Sequence, residues 1–393
     1  MKNKLIVFVL AGIALVALPL FVQQFGAGWV RIMALALLYV LLALGLNIVV
    51  GYAGLLDLGY VAFFAVGAYL YGLLASPQLT DNFPAIAAMF PHGLHLSIWL
   101  ALPLGLLVAA TAGVLLGIPV LKLRGDYLAI VTLGFGEIIR IFMNNLDHPV
   151  NITNGPKGVN QIDPVHFFGI NLSKPLHLFG FDVASVSLYY YLFLVAVIIT
   201  LIICKRLEDS RIGRAWMAIR EDDVAAKAMG LNVRNLKLLA FGMGASFGGV
   251  SGALFASFQQ FVSPESFSLM ESVMIVAMVV LGGLGHLPGV VVGALLLSAL
   301  PEVLRYVAGP LQQMTDGRLD AAILRQLFIA LAMIIIMLLR PRGLWPSPEH
   351  GKAKIDPADK VMPLTAQQDP PGIDFPSDAT PGAVAVRQDA INP

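Results

Sequence analysis

Residues 32–56 read IMALALLYVLLALGLNIVVGYAGLL and contain no Asp, Glu, Lys or Arg. A helix that crosses the hydrocarbon core of a bilayer needs about 20 consecutive, mostly apolar residues. This stretch is long and apolar enough for one crossing. It therefore predicts a transmembrane helix.

Similar runs recur along the chain. Of the 393 residues, 58% are hydrophobic and only 12% are charged, whereas a soluble domain carries about 25% charged residues. The run over 272–301 is too long for one helix, and the sequence from Gly282 to Gly289 (GGLGHLPG) predicts a tight turn between two. We therefore predict an all-α integral membrane protein, a polytopic bundle of about ten transmembrane helices. The other predicted spans are Leu5–Val30, Leu58–Ala75, Leu94–Leu121, Tyr127–Asn145, Val183–Cys204, Leu238–Phe261 and Ala321–Leu339.

The basic residues predict the orientation, because short cytoplasmic loops carry an excess of Lys and Arg. Those at the N-terminus, at 122–124, in the block 205–237 and at 340–342 are predicted to be cytoplasmic. The loop 76–93 has no Lys or Arg and is predicted to face the other side. An even number of helices, with both termini in the cytoplasm, satisfies these assignments.

The predicted regions are an N-terminal transmembrane helix (1–29), a transmembrane domain (30–345) that contains the cytoplasmic block 205–237, and a tail (346–393). The first run could be a cleaved signal peptide, but its apolar part exceeds the usual length of about 7–15 residues, so we expect it to be retained. The tail is rich in Pro, Asp, Gln and Ala and is predicted to be disordered. The net charge of +1 gives no reason to expect nucleic acid, and the single cysteine excludes an internal disulfide framework.

The cytoplasmic block contains the most informative segment, Ser210–Gly230. Residues Arg220–Met229 are predicted to form a short helix that begins with acidic residues and ends at Gly230 in a left-handed conformation. Such a helix could dock into a groove of another protein. An ordinary solvated loop explains the composition equally well.

Four stretches of the sequence are distinctive: Gly51–Tyr69, Leu123–Arg140, Asn154–Gly158 and Ser210–Gly230. Together they resemble LivM-type permeases of branched-chain amino acid ABC importers. Within the last stretch, Arg220–Gly230 also resembles the Glu-Ala-Ala…Gly cytoplasmic loop of ABC-importer permeases in general, except that Asp222 and Asp223 follow Glu221 and the paired alanines come later. The resemblance implies that this loop couples the chain to an ATPase through Arg220, Glu221, Asp222, Asp223, Ala225, Ala226 and Gly230.

The resemblance further implies an inner-membrane complex that imports leucine, isoleucine and valine. Its other members would be a second permease subunit, two cytoplasmic ATPases and a periplasmic substrate-binding protein. The sequence has no Gly-x-x-x-x-Gly-Lys-[Ser/Thr] phosphate loop, since the only Gly-Lys pair, Gly351-Lys352, is followed by Ala353. We therefore expect this chain to be a transport subunit rather than an enzyme. It should bind no cofactor itself, with ATP-Mg held by the partner ATPases.

Small residues form two neighbouring ridges on one predicted helix. Gly244, Gly248 and Gly252 recur every four residues, and a second set follows one position later. Small residues let helices approach closely in lipid. The pattern predicts a packing seam without identifying the partner helix.

Ionisable residues within apolar segments are the remaining site candidates. Glu137 and Arg140 are one turn apart, which suits an internal ion pair as well as a pathway contact. Asp57 is expected to cap the helix that follows it, with a transport role as the alternative. His92 and His95 flank Gly93 without a third ligand nearby, so no metal site is predicted.

Two rival functions remain open from the sequence. A proton-coupled secondary transporter could use Glu137, Asp57 or Glu271 as a proton carrier, although such a carrier has no need of a docking loop. Within the ABC class, a permease for urea or short amides is the alternative. A membrane enzyme has little support, because no nucleophile–base cluster appears.

Overall fold

The computed structural model describes residues 12, 14–90, 93–121, 123, 125–167, 170–178, 181–314, 321–340 and 343–345. The chain divides into two units, Met1–Ser347 and Pro348–Pro393. All described residues belong to the first unit. The predicted disordered tail and the start of the predicted N-terminal helix therefore lie outside the described residues.

The described part of the chain is mainly helical, as predicted. Residues 14–22 are helical. A second helix covers Ala27–Asn47 and continues as one π-helical turn over Ile48–Tyr52. The helices that follow are α1 (Ala27–Asn47), α2 (Val61–Leu74), α3 (Gln78–Asn82), α4 (Pro84–Met89), α5 (Ile98–Val120), α6 (Asp126–Asn145), α7 (Ser185–Glu208), α8 (Arg211–Glu221), α9 (Asp223–Ala228), α10 (Val233–Gln259), α11 (Leu269–Gly282), α12 (Leu287–Met314) and α13 (Ala321–Leu339).

Six helices among the described residues are long and apolar enough to cross a membrane, and three apolar helices are shorter. The predicted division of the 272–301 run is confirmed, because α11 ends at Gly282 and α12 begins at Leu287. The six long spans are Ala27–Tyr52, Ile98–Val120, Tyr127–Asn145, Ser185–Glu208, Val233–Gln259 and Leu287–Leu304.

The predicted boundary between the first two spans was wrong. The predicted spans Leu5–Val30 and 32–56 are separated by Arg31, but the chain turns at Gly26, whose φ of 123° favours glycine. Arg31 lies inside α1 because its charge is satisfied there. Its guanidinium donates to Gln259 Oε1 and stands 5.3 Å from the centre of the Phe258 ring.

The short strands depart from the all-α prediction without changing the helical architecture. Between α6 and α7 the chain forms β1 (Val159–Asn160), β2 (His166–Phe167), β3 (Ile170–Asn171), β4 (Leu176–Leu178) and β5 (Phe181–Val183), and β6 (Phe261–Val262) follows α10. The antiparallel pairs are β1–β6, β2–β3 and β4–β5. The β1–β6 pair joins this loop to the end of α10.

Helix α10 is the centre of the bundle and packs against α1, α2 and α5. The two ridges of small residues on α10 make these contacts. A methyl group on Gly249 would lie 2.5 Å from Ala109 Cβ of α5, so the second ridge faces that helix. The predicted first ridge faces α1 and α2, as described below.

Candidate functional site

The block 205–237 contains two short helices, whereas the sequence predicted one helix over Arg220–Met229. Helix α8 ends at Glu221, and Asp222 is extended, with φ −154° and ψ 113°. The Asp222 carboxylate accepts the N–H groups of Val224 at 2.8 Å and Ala225 at 3.0 Å. Asp222 therefore caps a new helix, α9, instead of continuing the first. These backbone hydrogen bonds lower the pKa of Asp222.

The block is packed onto the membrane domain rather than left as a solvated loop. Trp216 of α8 is fully buried, and its indole N–H donates to the carbonyl of Leu236 in α10 at 2.7 Å. Lys237 lies 3.4 Å from the Asp223 carboxylate of α9. Both short helices are thus joined to the first turns of α10.

Arg220 connects the block to two glycine-rich segments of the membrane domain. Its Nη1 donates to the carbonyl of Gly51, at the end of the α1 span, at 2.5 Å. A methyl group on Gly54 would lie 2.8 Å from Arg220 Cγ, and one on Gly285 would lie 2.8 Å from Nη1. The two glycines therefore leave the space that the Arg220 side chain occupies. The Asn47 side chain completes this junction by accepting the N–H of Gly285 at 3.0 Å.

The other predicted coupling residues differ in exposure. Glu221, Asp222 and Ala225 are exposed and Asp223 is half-buried. Ala226 is only 4% exposed, so it faces the protein and not a partner. The exposed large apolar side chains of this part of the block are instead Val224 (62%) and Met229 (84%).

Gly230 has the predicted left-handed conformation, with φ 87°. Nothing lies within 4 Å of the position that a Cβ would take there. The requirement for glycine is therefore one of backbone conformation alone.

The predicted seam residues Gly244, Gly248 and Gly252 face α1 and α2. A methyl group on Gly244 would meet Val49, and one on Gly248 would lie 3.0 Å from Phe63 Cβ. On Gly252 it would meet backbone atoms, Phe64 O and, at 2.6 Å, Ala68 N.

Glu137 and Arg140 come together as an ion pair on α6, with Arg140 Nε donating to Glu137 Oε1 at 3.0 Å. Both side chains are partly exposed (36% and 29%), so the pair is not a buried one. The predicted cap at Asp57 was wrong, because α2 begins only at Val61. The Asp57 carboxylate closes a turn by accepting the N–H of Gly59 at 2.8 Å.

One of the two loop histidines lies among the described residues. His95 lies in a loop 2.6 Å from Asp163, and His92 lies outside the described residues. Within the described ranges, no three His, Cys, Asp or Glu side chains are grouped as metal ligands would be.

Sequence reasoning missed Trp216, Asn47 and Gly285. The only signal for Trp216 was a lone indole in a charged segment. Asn47 is the one amide within the charge-free run 32–56, and a polar side chain in such a run calls for a partner. Gly285 was noted only as part of a turn.

The chain matches a family of known transport proteins. Residues 28–338 match the model for the permease component of the branched-chain amino acid transport system. The chain is 40% identical over 357 residues to the high-affinity branched-chain amino acid transport system permease protein LivM of Escherichia coli (strain K12), covering 88% of this chain and 75% of that protein. No solved structure matches.

More distant relatives include both types of permease. A probable branched-chain amino acid transport permease protein LivM of Methanocaldococcus jannaschii is 24% identical over 331 residues, or 79% of this chain and 90% of that protein. The permease protein LivH of Escherichia coli (strain K12) is 25% identical over 318 residues, or 80% and 93%. With a family match over most of its length and apolar helices that suit a multi-pass membrane protein, the chain belongs to the permease-component family of branched-chain amino acid transport systems.

Proposed function

We propose that this chain is one of two different permease subunits of an ATP-driven importer for leucine, isoleucine and valine. Its relatives include LivM and LivH proteins, which are named as permeases of the same kind of transport system. The other components would be two cytoplasmic ATPases that hold ATP-Mg and a periplasmic binding protein that delivers the substrate. Both termini and the block 205–237 would face the cytoplasm, following the distribution of Lys and Arg.

The observation that carries this proposal is the hydrogen bond from Arg220 to Gly51. A subunit without its own phosphate loop has to receive the energy of ATP hydrolysis through a contact. The exposed surface at Val224 and Met229 would contact the ATPase, and Arg220 would pass its displacement to the end of the α1 span and to the α11–α12 turn. Both of these segments are short and glycine-rich, which suits a joint that moves.

A proton-coupled carrier has less support than an ATP-driven importer. Two of the three candidate proton carriers are already paired, since Glu137 bonds to Arg140 and Glu271 accepts the Tyr39 hydroxyl at 3.0 Å. A packed cytoplasmic block with exposed apolar side chains is also better explained by a partner protein than by a carrier that works alone.

Reconstitution of the complex tests the proposed function. The chain is co-expressed with its cognate second permease and ATPases and purified through a tag on this chain. The complex is reconstituted with the binding protein and leucine outside the vesicles and ATP inside. We expect the ATPases to copurify and leucine uptake to require ATP. Uptake driven by a proton gradient without ATP, or uptake of urea or short amides but not leucine, would contradict the proposal.

The exposed residue Met229 provides a test of docking. Replacing it with Arg puts a charge on the most exposed apolar side chain of the block and should reduce copurification of the ATPases at least several-fold. Ile212→Arg, at the other end of the block where the side chain is 38% exposed, is the matched control and should keep the ATPases. Equal ATPase recovery with both variants would place the docking surface elsewhere, with the 121–126 loop as the next candidate.

The conformation of Gly230 provides a second test. Valine there has to adopt a left-handed backbone, at a cost of about 1–2 kcal/mol, so Gly230→Val should reduce uptake while the membrane domain still folds. Asn tolerates this conformation, so Gly230→Asn should retain uptake. The measurement is ATP-dependent uptake at equal amounts of assembled complex. Loss with both variants would show that Gly230 is needed for contact rather than for conformation.

A further inference from the structure

Glu137 and Arg140 carry charge close to the middle of a membrane span. The span Tyr127–Asn145 has 19 residues, so at 1.5 Å per residue Glu137 lies about 15 Å from its first residue and about 12 Å from its last. The two side chains pair with each other, yet 36% of the Glu137 side chain and 29% of the Arg140 side chain stay exposed on the surface of the subunit. Charged groups at this depth are costly in lipid and face protein or water instead.

The other sides of α6 show which flank the pair occupies. Thr132 is only 6% exposed and lies on the side that packs against the segment before α2. Ile130 and Ile138 are 63% and 60% exposed, and such an apolar side suits contact with lipid. At 3.6 residues per turn, Glu137 and Arg140 project between these two sides. Helix α6 therefore has a packed side, an apolar side and, between them, a charged flank.

An irregular stretch of backbone lies beside the charged flank. The chain between α10 and α11 forms β6 and the 3₁₀ turn Pro264–Phe267 rather than an α-helix, and this turn packs against α6. Glu265 is exposed there and is close enough to Arg140 to interact with it electrostatically. Phe267 is only 2% exposed, and its ring centre lies 5.1 Å from that of Phe64 in α2. The turn is therefore anchored within the helix bundle.

This stretch lies at membrane depth because α11 is too short to cross a bilayer alone. The 14 residues Leu269–Gly282 extend about 21 Å, whereas the hydrocarbon core is about 30 Å thick. Helix α11 ends at the turn that contains Gly285, beside Arg220 of the block 205–237. The stretch before α11 therefore covers the remaining depth on the opposite side. Non-helical backbone at this depth is tolerated where it is buried in protein or lines a water-filled cavity.

We infer that the charged flank of α6 and the turn Pro264–Phe267 line the aqueous pathway of the importer, on the side opposite the block 205–237. This inference rests on the proposed function, which requires a pathway for an amino acid. The substrate carries one positive and one negative charge, and the flank presents both signs. Because Glu137 and Arg140 already neutralise each other, the flank can stay in contact with water without trapping the amino acid.

The accessibility of introduced cysteines tests whether the charged flank faces water. Cys204, the one cysteine of the sequence, is buried, and Cys204→Ala gives the background. Glu137→Cys is compared with Ile138→Cys, the matched control at the same depth on the apolar side. Each complex is reconstituted with ATP inside the vesicles, and a charged, water-soluble methanethiosulfonate is added outside. The thiolate is the reactive form of cysteine, and it forms in water rather than in lipid.

We expect Glu137→Cys to react at least tenfold faster than Ile138→Cys, although Ile138 is the more exposed residue in the subunit. The reaction should then lower ATP-dependent leucine uptake by Glu137→Cys at least tenfold and leave uptake by Ile138→Cys and by the background within about twofold. Equal rates, or a faster reaction of Ile138→Cys, would overturn the inference. Unchanged uptake by fully labelled Glu137→Cys would also overturn it, because the flank would then border a wet crevice outside the pathway.

Leu133→Cys is measured if Glu137→Cys fails to assemble or to import leucine before labelling. Leu133 is partly exposed and lies one turn earlier on the same flank, so its replacement leaves the ion pair intact. The same fast reaction and loss of uptake are expected. Absence of reaction, or failure of both variants to assemble, would show that protein packs against the flank and would overturn the inference.

Failure of the proposed function gives a different result. If the wild-type complex itself does not import leucine, the proposed function is wrong. Leucine import by the wild type, with no difference in reaction rate between Glu137→Cys and Ile138→Cys, removes only the pathway assignment.

Discussion

Replacing Gly252 with leucine is expected to remove most of the folded protein. Gly252 lies on α10 directly against the backbone of α2, where a Cβ would be 2.6 Å from Ala68 N and would also meet Phe64 O. Backbone atoms cannot rotate away as a side chain can, so the two helices have to separate. Overpacking a tight site costs about 1–3 kcal/mol and sometimes more, and this contact is among the least yielding in the described bundle.

Size-exclusion chromatography of the detergent-solubilised protein and its thermal unfolding measure this effect. Gly134→Leu is the matched control, because Gly134 is also helical but has nothing within 4 Å of its Cβ position. Gly248→Leu should have an intermediate effect, since its first obstacle is the Phe63 side chain at 3.0 Å. A Gly252→Leu protein as stable as Gly134→Leu would mean that α10 and α2 are not closely packed here.

The spacing of these glycines could be read from the sequence, but their partners could not. Glycines four residues apart lie on one face of any helix, so the ridge follows from chain geometry alone. Which helix covers that face depends on how helices cross in three dimensions. The apposed residues, such as Phe64 and Ala68, carry no sequence mark that distinguishes them from other small or apolar residues of the bundle.

The membrane spans were predictable because hydrocarbon excludes charge. The residues at which the spans begin and end were harder to predict. Arg31 was taken as a boundary, but a long side chain can keep its charge satisfied from within a helix, here through Gln259 and Phe258. The start of α2 was missed for a related reason. Residues 53–60 are mostly apolar, like the helices on either side, so their composition does not mark a break. The backbone of Leu58 is instead held by distant side chains, since its N–H donates to the Thr132 hydroxyl and its carbonyl accepts the Ser272 hydroxyl.

The block 205–237, with its proposed coupling role, shows the same division between local and distant information. The left-handed Gly230 follows from local chemistry and was predicted. The break at Asp222 is also local, but an Asp can either begin a helix or lie within its first turn, and the prediction took the wrong choice. The bond from Arg220 to Gly51 joins residues 169 positions apart, and no local pattern records it.

Replacing Arg220 with alanine is expected to lower ATP-dependent leucine uptake about tenfold or more while the ATPases still copurify. The Arg220 guanidinium makes the hydrogen bond that links α8 to Gly51 at the end of the α1 span. A hydrogen bond to a charged group contributes about 1.5–3 kcal/mol. Because tenfold corresponds to about 1.4 kcal/mol, loss of this one bond is enough for the expected effect. The proposed docking surface at Val224 and Met229 is untouched, so binding of the ATPases should persist.

Arg214→Ala is the matched control for Arg220→Ala. Arg214 lies on the same helix, but its Nη1 donates to the carbonyl of Asp209 within the block, at 2.8 Å. Its removal should leave uptake within about twofold of the wild type.

Three quantities are compared in each reconstituted variant: recovered ATPase, ATP hydrolysis stimulated by the loaded binding protein, and leucine uptake. Loss of ATPase from the Arg220→Ala complex would make Arg220 a docking residue. Equal uptake by the two variants would mean that motion reaches the membrane helices by another route, and the remaining described links from the block are Trp216 to Leu236 and Asp223 to Lys237, both on α10.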